Sequence, residues 1–164
     1  MSDPVARCAR VPNARPRSRR MASALKSLTL VAASVFALWA LYISLVEHPA
    51  RLAVPAAAAL PQFRESYRRA APWQATFAAI ALVAGLFASL MTREWSWGVA
   101  GMLVGLAIPL TLLVIMPVNR VLLHGAPSES EAATLLEKWG RLHWVRSLLG
   151  LAALLSLASR LHVE

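Results

Sequence analysis

Apolar residues are concentrated in four long runs, separated by segments that hold most of the polar residues. The runs cover residues 28–46, 75–91, 97–116 and 147–158, and the polar and aromatic stretch WGRLHWVR precedes the fourth. A helix needs roughly 20 apolar residues to cross the hydrocarbon core of a bilayer. The pattern predicts four membrane-spanning helices. The fourth span requires the charged turns before residue 147 to enter the membrane or to pack inside the protein.

The segments between the runs predict further local structure. Residues 47–72 contain QFRESYRRA, in which two aromatic residues lie one helical turn apart, so a short interfacial helix is predicted there. Ser128 or Ser130, followed by acidic residues, predicts the N-cap of a helix that continues into the fourth span. Pro109 predicts a kink in the third span. The predicted fold class is all-α: an integral membrane four-helix bundle with a short interfacial helix between spans one and two.

Composition and charge agree with a membrane protein. The chain has 164 residues, of which 58% are hydrophobic and 15% charged, whereas soluble domains are about a quarter charged. Six arginines lie within the first twenty residues, and a basic segment with few apolar residues cannot bury a core. We therefore predict a basic disordered N-terminal tail over residues 1–24 and a four-span transmembrane domain over residues 25–162. Met21 directly follows the basic stretch and is an alternative start. The one cysteine, Cys8, excludes a disulfide framework and paired-cysteine redox chemistry.

Lysine and arginine residues near the spans predict the orientation, because cytoplasmic loops carry an excess of both. The basic tail favours an N-in, C-in topology in a bacterial plasma membrane, and this argument weakens if the chain starts at Met21. The tail contains no aromatic residue and no folded module, so we predict no nucleic-acid partner. The predicted partners are the lipid bilayer and a lipophilic small molecule. Gly101 and Gly105 form a small-xxx-small pattern that favours close packing within the chain or, alternatively, a homodimer.

Polar residues gather at one end of the predicted bundle. One membrane face collects the ends of spans one and three and the starts of spans two and four. Ionisable groups at membrane depth are costly and usually face the bundle interior, so a polar pocket is predicted there. Taken singly, each residue is more simply explained as part of an aromatic belt, a snorkelling arginine or a structural histidine. The polar residues form four sets, of which the first, second and fourth each share one helix face. The sets are Ser44, Glu47, His48 and Arg51; Arg64, Tyr67 and Arg68; Asn119, Arg120 and His124; and Trp139, His143 and Arg146.

Two histidines give the predicted pocket its candidate chemistry. Histidine is the side chain that titrates closest to neutral pH, so His48 or His143 could act as a general base. Glu47 is expected to form an ion pair with Arg146 or Arg120. No HxxxH or ExxH spacing occurs, so no metal is predicted even though histidine and glutamate are suitable ligand types.

Two stretches, PVNRVLL and LLEKWGRLHWVRSLLGLAALL, resemble the membrane family that includes the fungal anthrone oxygenases, whose bacterial branch is classed as a domain of unknown function. The resemblance covers roughly residues 28–161, and its most specific parts are the pair Asn119 and Arg120 and the W-x-x-x-H-x-x-R stripe. It implies a four-helix integral membrane protein. For the fungal branch it implies oxygenation of an anthrone to an anthraquinone without a conventional cofactor, so no cofactor is predicted.

The resemblance also implies roles for individual residues. The positions that match the family hold Asn119, Arg120, Trp139, His143 and Arg146, and those that match its bacterial members hold Glu47 and His48. The resulting catalytic candidates are His48, His143, Arg146 and Asn119, and the substrate-binding candidates are Glu47, Tyr67, Arg68, Arg120 and Trp139. In this interpretation a histidine removes a proton from a phenolic anthrone and arginines stabilise the anion. The alternatives are a non-catalytic membrane protein that binds a lipid or a small hydrophobic ligand, and a small transporter or accessory subunit.

Overall fold

The structure is a computed structural model that describes residues 16–159, and these residues are almost entirely helical, with no β-strand among them. The first helical stretch comprises α1 (Pro16–Tyr42), a π-helical segment π1 (Ile43–Glu47) and α2 (His48–Leu52), and the second is α3 (Ala56–Thr92). The third comprises α4 (Trp95–Gly105), α5 (Ala107–Leu110), a second π-helical segment π2 (Thr111–Ile115) and α6 (Met116–His124), and the fourth is α7 (Glu129–Ala158). The predicted all-α fold class is confirmed.

Three of the helical stretches are long and apolar enough to cross a membrane, judged by length and composition alone: Arg17–Leu52, Ala56–Thr92 and Trp95–His124. Residues 16–24 of the predicted basic tail form the first turns of α1. Residues 1–15 of that tail and residues 160–162 of the predicted transmembrane domain lie outside the described residues.

The fourth stretch, α7, begins where the sequence predicts a cap. The Ser128 hydroxyl accepts a hydrogen bond from the backbone N–H of Glu131 (3.3 Å), which satisfies one of the free donors of the first turn. α7 is not among the three apolar stretches, and its sequence holds Lys138, Arg141 and Arg146 before the apolar run. Its fully apolar part is too short to cross a bilayer unaided.

The segment predicted as a separate interfacial helix is instead a continuous part of α3. Ala59, Phe63, Gln74 and Ala78 are all buried along one face of this helix, on both sides of the segment. One inward face that continues at the helical period packs against the other helices over the whole length. This packing outweighs the loss of backbone hydrogen bonds that proline causes inside a helix, so α3 also runs through Pro72.

The third stretch is irregular around Pro109, where the sequence predicts a kink. α4 ends at Gly105, four residues before the proline, whose missing N–H leaves that carbonyl without its regular partner. The short α5 follows, and the chain then widens into π2. The Thr111 hydroxyl, at the start of π2, donates to the carbonyl of Ala107 (2.6 Å) and so takes part in the altered hydrogen bonding.

Small residues bring α3 and α4 into close contact. A Cβ atom added at Gly101 would lie 2.7 Å from the carbonyl oxygen of Ala81, and one added at Gly85 would lie 2.5 Å from the carbonyl oxygen of Trp97. A Cβ atom at Gly105 would also meet α3, 2.9 Å from the side chain of Leu82. The small-xxx-small pattern therefore packs within the chain, as in other membrane proteins with closely spaced helices.

Replacement of Gly101 by valine should reduce the stability of the protein. The new side chain would collide with backbone rather than with a flexible side chain, and overpacking of this kind costs about 1–3 kcal/mol. Thermal unfolding in detergent measures the effect. Val99→Leu, a change at an exposed position of the same helix, is the control and should leave the transition temperature unchanged. Equal stability of both variants would contradict the close contact between α3 and α4.

Candidate functional site

Five of the predicted residues line one small cavity, with a free volume of about 20 Å³, between π1, α3 and α7: Glu47, Tyr67, Trp139, His143 and Arg146. This volume is sufficient for about one molecule of the size of water. The cavity lies at the end of the protein where the sequence places the polar stripes. The helices therefore bring these five side chains together from segments that are far apart in the sequence.

His143 is buried, with 2% of its surface exposed, and lies between an aromatic ring and a serine. Its imidazole stacks on the indole of Trp139, one turn earlier in α7, with 4.8 Å between the ring centroids. Nδ1 of His143 lies 3.0 Å from the hydroxyl of Ser44 in π1. The Ser44 hydroxyl lies 2.8 Å from that of Ser147, and Ser147 donates to the carbonyl of Ala40 (3.0 Å).

Arg146 is buried among neutral groups. Its Nη1 donates to the hydroxyl of Thr111 (2.8 Å) and its Nη2 to the side-chain oxygen of Gln74 (2.7 Å), and its guanidinium carbon lies 5.5 Å from the ring centroid of Phe36. Among the described residues, no carboxylate lies within ion-pair distance of it, and its Nε has no hydrogen-bond partner. A buried cation without an acidic neighbour is rare, because burial of an unpaired charge is costly.

Asn119 supports the cavity from behind without lining it. Its side chain is fully buried, donates to the Tyr67 hydroxyl (2.7 Å) and accepts a hydrogen bond from the indole N–H of Trp139 (2.9 Å). The Asn119 amide thus fixes one wall residue on α3 and another on α7. Phe63 completes this wall, with its ring at 5.1 Å from that of Trp139 in an edge-to-face arrangement.

Glu47 forms its ion pair with Arg51, one turn further along the chain, and not with Arg146 or Arg120 as the sequence led us to expect. Nη2 of Arg51 lies 2.5 Å from the Glu47 carboxylate. The i, i+4 spacing places both groups on one helix face, so this pair forms without any long-range fold. The same Arg51 lies over the Phe63 ring (5.3 Å), and Ser66 and Gln62 of α3 also bond to the pair.

The structure separates the two histidines. His48 lies behind the cavity wall: its Nδ1 is 3.2 Å from Nη1 of Arg51, and its ring lies against the backbone of α7 at Gly140, where an added Cβ atom would collide with it. Arg68 and Arg120 are exposed and line no part of the cavity. Of the nine predicted residues, these three and the buried Asn119 therefore lie outside the cavity lining.

A second, apolar cavity adjoins the polar one. Its free volume is about 210 Å³, and it shares Tyr67, Gln74 and Arg146 with the polar cavity. Its other walls come from α3, α5, π2 and α6, and they include Ala78, Ala107, Ile108, Leu112 and Met116. The guanidinium of Arg146 therefore lies at the boundary between a polar compartment and a larger apolar one.

The polar cavity is richer in hydrogen-bond donors than in metal ligands. Glu47 and His143 are its side chains of metal-binding type, and across residues 16–159 no group of three histidine, cysteine, aspartate or glutamate side chains is placed to hold a metal ion. The donors include Arg51, Gln74 and Arg146, together with the hydroxyls of Ser66 and Tyr67.

A family model described as anthrone oxygenase matches residues 63–156, which is more than half of the chain. The chain belongs to the anthrone oxygenase family. The resemblance noted in the sequence is thus confirmed. The matched region contains Tyr67, Asn119, Trp139, His143 and Arg146, whereas π1 and α2 precede it. A search of curated proteins and a search of solved structures each found no match.

For this member of the anthrone oxygenase family, sequence reasoning missed several residues that complete the site. Gln74 and Thr111 hold Arg146, and each had a visible signal, because it is an isolated polar residue beside or within an apolar run. Arg51 was noted on the first polar stripe, and only the structure places it in the cavity lining. Ser147 had no signal, because a serine at the start of an apolar helix is common.

Replacement of Asn119 by leucine should destabilise the protein. The change leaves the Tyr67 hydroxyl and the Trp139 N–H without their partners, and a buried group left unpaired costs about 1–3 kcal/mol. Chemical unfolding followed by tryptophan fluorescence measures the loss. Arg120→Leu, at the exposed neighbouring position, is the control and should have little effect. A loss no larger than that of the control would contradict the bridging role of Asn119.

Proposed function

We propose that this protein is a membrane-embedded oxygenase that converts a lipophilic phenolic ketone of the anthrone type into the corresponding quinone. The observation that carries the proposal is the position of Arg146, a buried cation with no acidic partner among the described residues, in a cavity that it shares with His143. Membership of the anthrone oxygenase family supports the same chemistry. The protein requires no conventional cofactor in this proposal.

We infer that all four helical stretches lie in the membrane as a four-helix bundle. Support comes from α7, whose polar residues Trp139, His143 and Arg146 are buried, while Leu148 and Leu155 are exposed on its outer face. An inward polar stripe removes the charged side chains from lipid, which lets a helix with a short apolar run enter the bilayer. The distribution of lysine and arginine supports an N-in, C-in orientation. The resemblance to bacterial members of the family supports a bacterial plasma membrane as the location.

The reaction begins with removal of a proton from the methylene carbon of the anthrone. The electron pair of the broken C–H bond delocalises over the rings to the carbonyl oxygen, which becomes a phenolate. The carbon then transfers electrons to O₂ and forms a C–O bond. The resulting peroxide anion takes the abstracted proton back from the base, and the hydroperoxide loses water, with the second hydrogen of that carbon, to leave a carbonyl. One anthrone and one O₂ give one anthraquinone and one water, so the anthrone is oxidised and O₂ is reduced without another reagent.

His143 is the base in this scheme. It lines the polar cavity, and its Nδ1 is engaged with Ser44, so Nε2 is the nitrogen left to receive a proton. A positioned base contributes typically 10²–10⁴-fold to the rate of a proton transfer. The second histidine, His48, does not line the cavity. In this proposal it positions Arg51, which it contacts and which does line the cavity.

Arg146 stabilises the oxygen on which the negative charge develops. Its Nε and the side-chain nitrogen of Gln74 are both buried donors without a hydrogen-bond partner in the described part of the chain. Such donors favour an acceptor that carries negative charge, and preorganised donors stabilise an oxyanion as it forms. The apolar cavity beside them, which shares Arg146 with the polar cavity that His143 lines, is the proposed site of the fused rings.

The alternative is a membrane protein that binds a lipid or a small hydrophobic ligand without turnover. The apolar cavity of about 210 Å³ favours it, because this cavity alone would hold an apolar ligand. Purified protein in detergent, given 1,8-dihydroxyanthrone, distinguishes the two. Quinone absorbance and O₂ consumption above the uncatalysed rate support the oxygenase, and saturable binding with no gain in rate supports the alternative.

Replacement of His143 by alanine should lower the turnover of 1,8-dihydroxyanthrone by about 100-fold or more, because the reaction loses its general base. Quinone formation and O₂ uptake measure the rate, and thermal unfolding verifies that the variant folds. His124→Ala, at an exposed histidine outside both cavities, is the matched control and should retain full activity. Full turnover in a folded His143→Ala variant would show that His143 is not the general base.

Replacement of Arg146 by methionine should lower kcat/KM by about 10²-fold, the usual effect of removing one donor to an oxyanion. Thermal unfolding verifies that the variant folds, because the change leaves the side-chain oxygen of Gln74 and the hydroxyl of Thr111 without the donor that Arg146 provides. Arg146→Lys should retain part of the activity, since it keeps the charge without the planar fork of donors. Arg141→Met, on the exposed side of α7, is the control, and an equal effect of both methionine variants would argue against anion stabilisation.

A further inference from the structure

A chain of hydrogen bonds leads from His143 to the backbone of α1. It runs from Nδ1 of His143 to Ser44 (3.0 Å), from Ser44 to Ser147 (2.8 Å), and from Ser147 to the carbonyl of Ala40 (3.0 Å). All four groups are buried. A hydroxyl group has one proton to donate, and a carbonyl oxygen can only accept. The donor of each hydrogen bond in this chain can therefore be assigned in turn, starting from the Ala40 carbonyl.

Only one arrangement keeps all three contacts as hydrogen bonds. In it Ser147 uses its only proton on the Ala40 carbonyl, so the proton between the two serines comes from Ser44. Ser44 then has no proton left for the imidazole and can only accept from it, so Nδ1 of His143 is the donor. The opposite direction would leave the Ala40 carbonyl without the proton of Ser147.

We propose that Ser44 and Ser147 are positioning residues that hold neutral His143 as the Nδ1–H tautomer, with the lone pair of Nε2 directed at the polar cavity. The partner of one imidazole nitrogen generally determines which nitrogen carries the proton. The tautomer itself follows from the hydrogen bonds, and only its catalytic consequence rests on the proposed oxygenase function. When Nε2 takes up a proton, Nδ1 keeps its bond to Ser44, so the relay need not rearrange during proton transfer.

The fold builds this relay through a close approach of α1 and α7. A Cβ atom added at Gly150, one turn after Ser147, would lie 2.9 Å from the Cα atom of Ala37, one turn before Ala40. This approach puts the Ser147 hydroxyl within reach of the α1 backbone. Ser44 itself lies in π1, an irregular helical segment of the kind that often occurs at functional sites.

Nitrogen NMR of the full chain in lipid bilayers tests the tautomer directly. Protein with ¹⁵N-labelled histidine is measured at mildly alkaline pH, and the His143 signals are assigned by their loss in the His143→Gln variant. We expect a protonated Nδ1 and an unprotonated Nε2 at His143. A protonated Nε2 in the unmodified protein would overturn the proposal, and this measurement requires no variant of the relay itself.

Replacement of Ser44 by alanine tests what holds the tautomer. It removes the acceptor of the Nδ1 proton, so the proton should move to Nε2 and the two nitrogen signals should exchange their character. Ser44→Thr keeps the hydroxyl and should keep the original tautomer. Ser89→Ala removes a buried serine hydroxyl from the distant half of α3 and is the matched control, with no change expected. An unchanged tautomer in Ser44→Ala would overturn the role assigned to Ser44.

Turnover of 1,8-dihydroxyanthrone separates this inference from the proposed function. Ser44→Ala should lower it at least about tenfold, because a histidine held in the wrong tautomer is a poor base, and Ser44→Thr should restore most of it. The expected tautomer together with full turnover in His143→Ala would leave the inference standing and remove the proposed base. A protonated Nε2 together with inactive His143→Ala would overturn the inference and show that turnover needs His143 in another form.

Discussion

The buried polar side chains of α7 need hydrogen-bond partners within the protein, either side chains or backbone carbonyls, because buried polar groups without partners are costly. This constraint determines how α7 packs. Trp139 is bonded through Asn119 to Tyr67, His143 through Ser44 to Ser147, and Arg146 to Gln74 and Thr111. Each of these connections joins α7 to a different part of the chain. The charged half of α7 is therefore held by specific hydrogen bonds, whereas its apolar half packs on small residues of α1.

By the same constraint, the missing hydrogen-bond partner of Arg146 points to a functional role for this residue. The protein supplies two neutral acceptors to this cation and leaves its Nε unpaired, while the carboxylate of Glu47, which lines the same cavity and is partly buried, is paired with Arg51. An arrangement that stabilised the fold alone would place the carboxylate at the buried cation. Here the cation lies at the boundary of an apolar cavity instead, where an oxyanion on a hydrophobic ligand would complete its partners.

Irregular helix geometry positions this site. π1 carries Ser44 and Glu47, and π2 begins with Thr111, which receives Arg146. The second irregularity follows from Pro109, which removes a backbone donor just before it. Close contacts at Gly140 and Gly150 let α7 approach α2 and α1 on the two sides of His143. The backbone deviations thus bring short polar side chains into contact across helices that are otherwise packed on alanine.

The sequence by itself determined the helical class, the apolar stretches, the cap at Ser128 and the family, because these depend on local composition, on the helical period and on short motifs. It also predicted that Glu47, Tyr67, Trp139, His143 and Arg146 lie at the same end of the folded protein, since successive antiparallel helices bring alternate helix ends to one side. The sequence could not determine which hydrogen-bond and ion-pair partners these residues have. The pairing of Glu47 with Arg51, the position of His48 behind the wall and the continuity of α3 through its charged segment depend on helix rotation and on contacts between distant residues. A helical period specifies the face of one helix, and only the packed helices decide which faces meet.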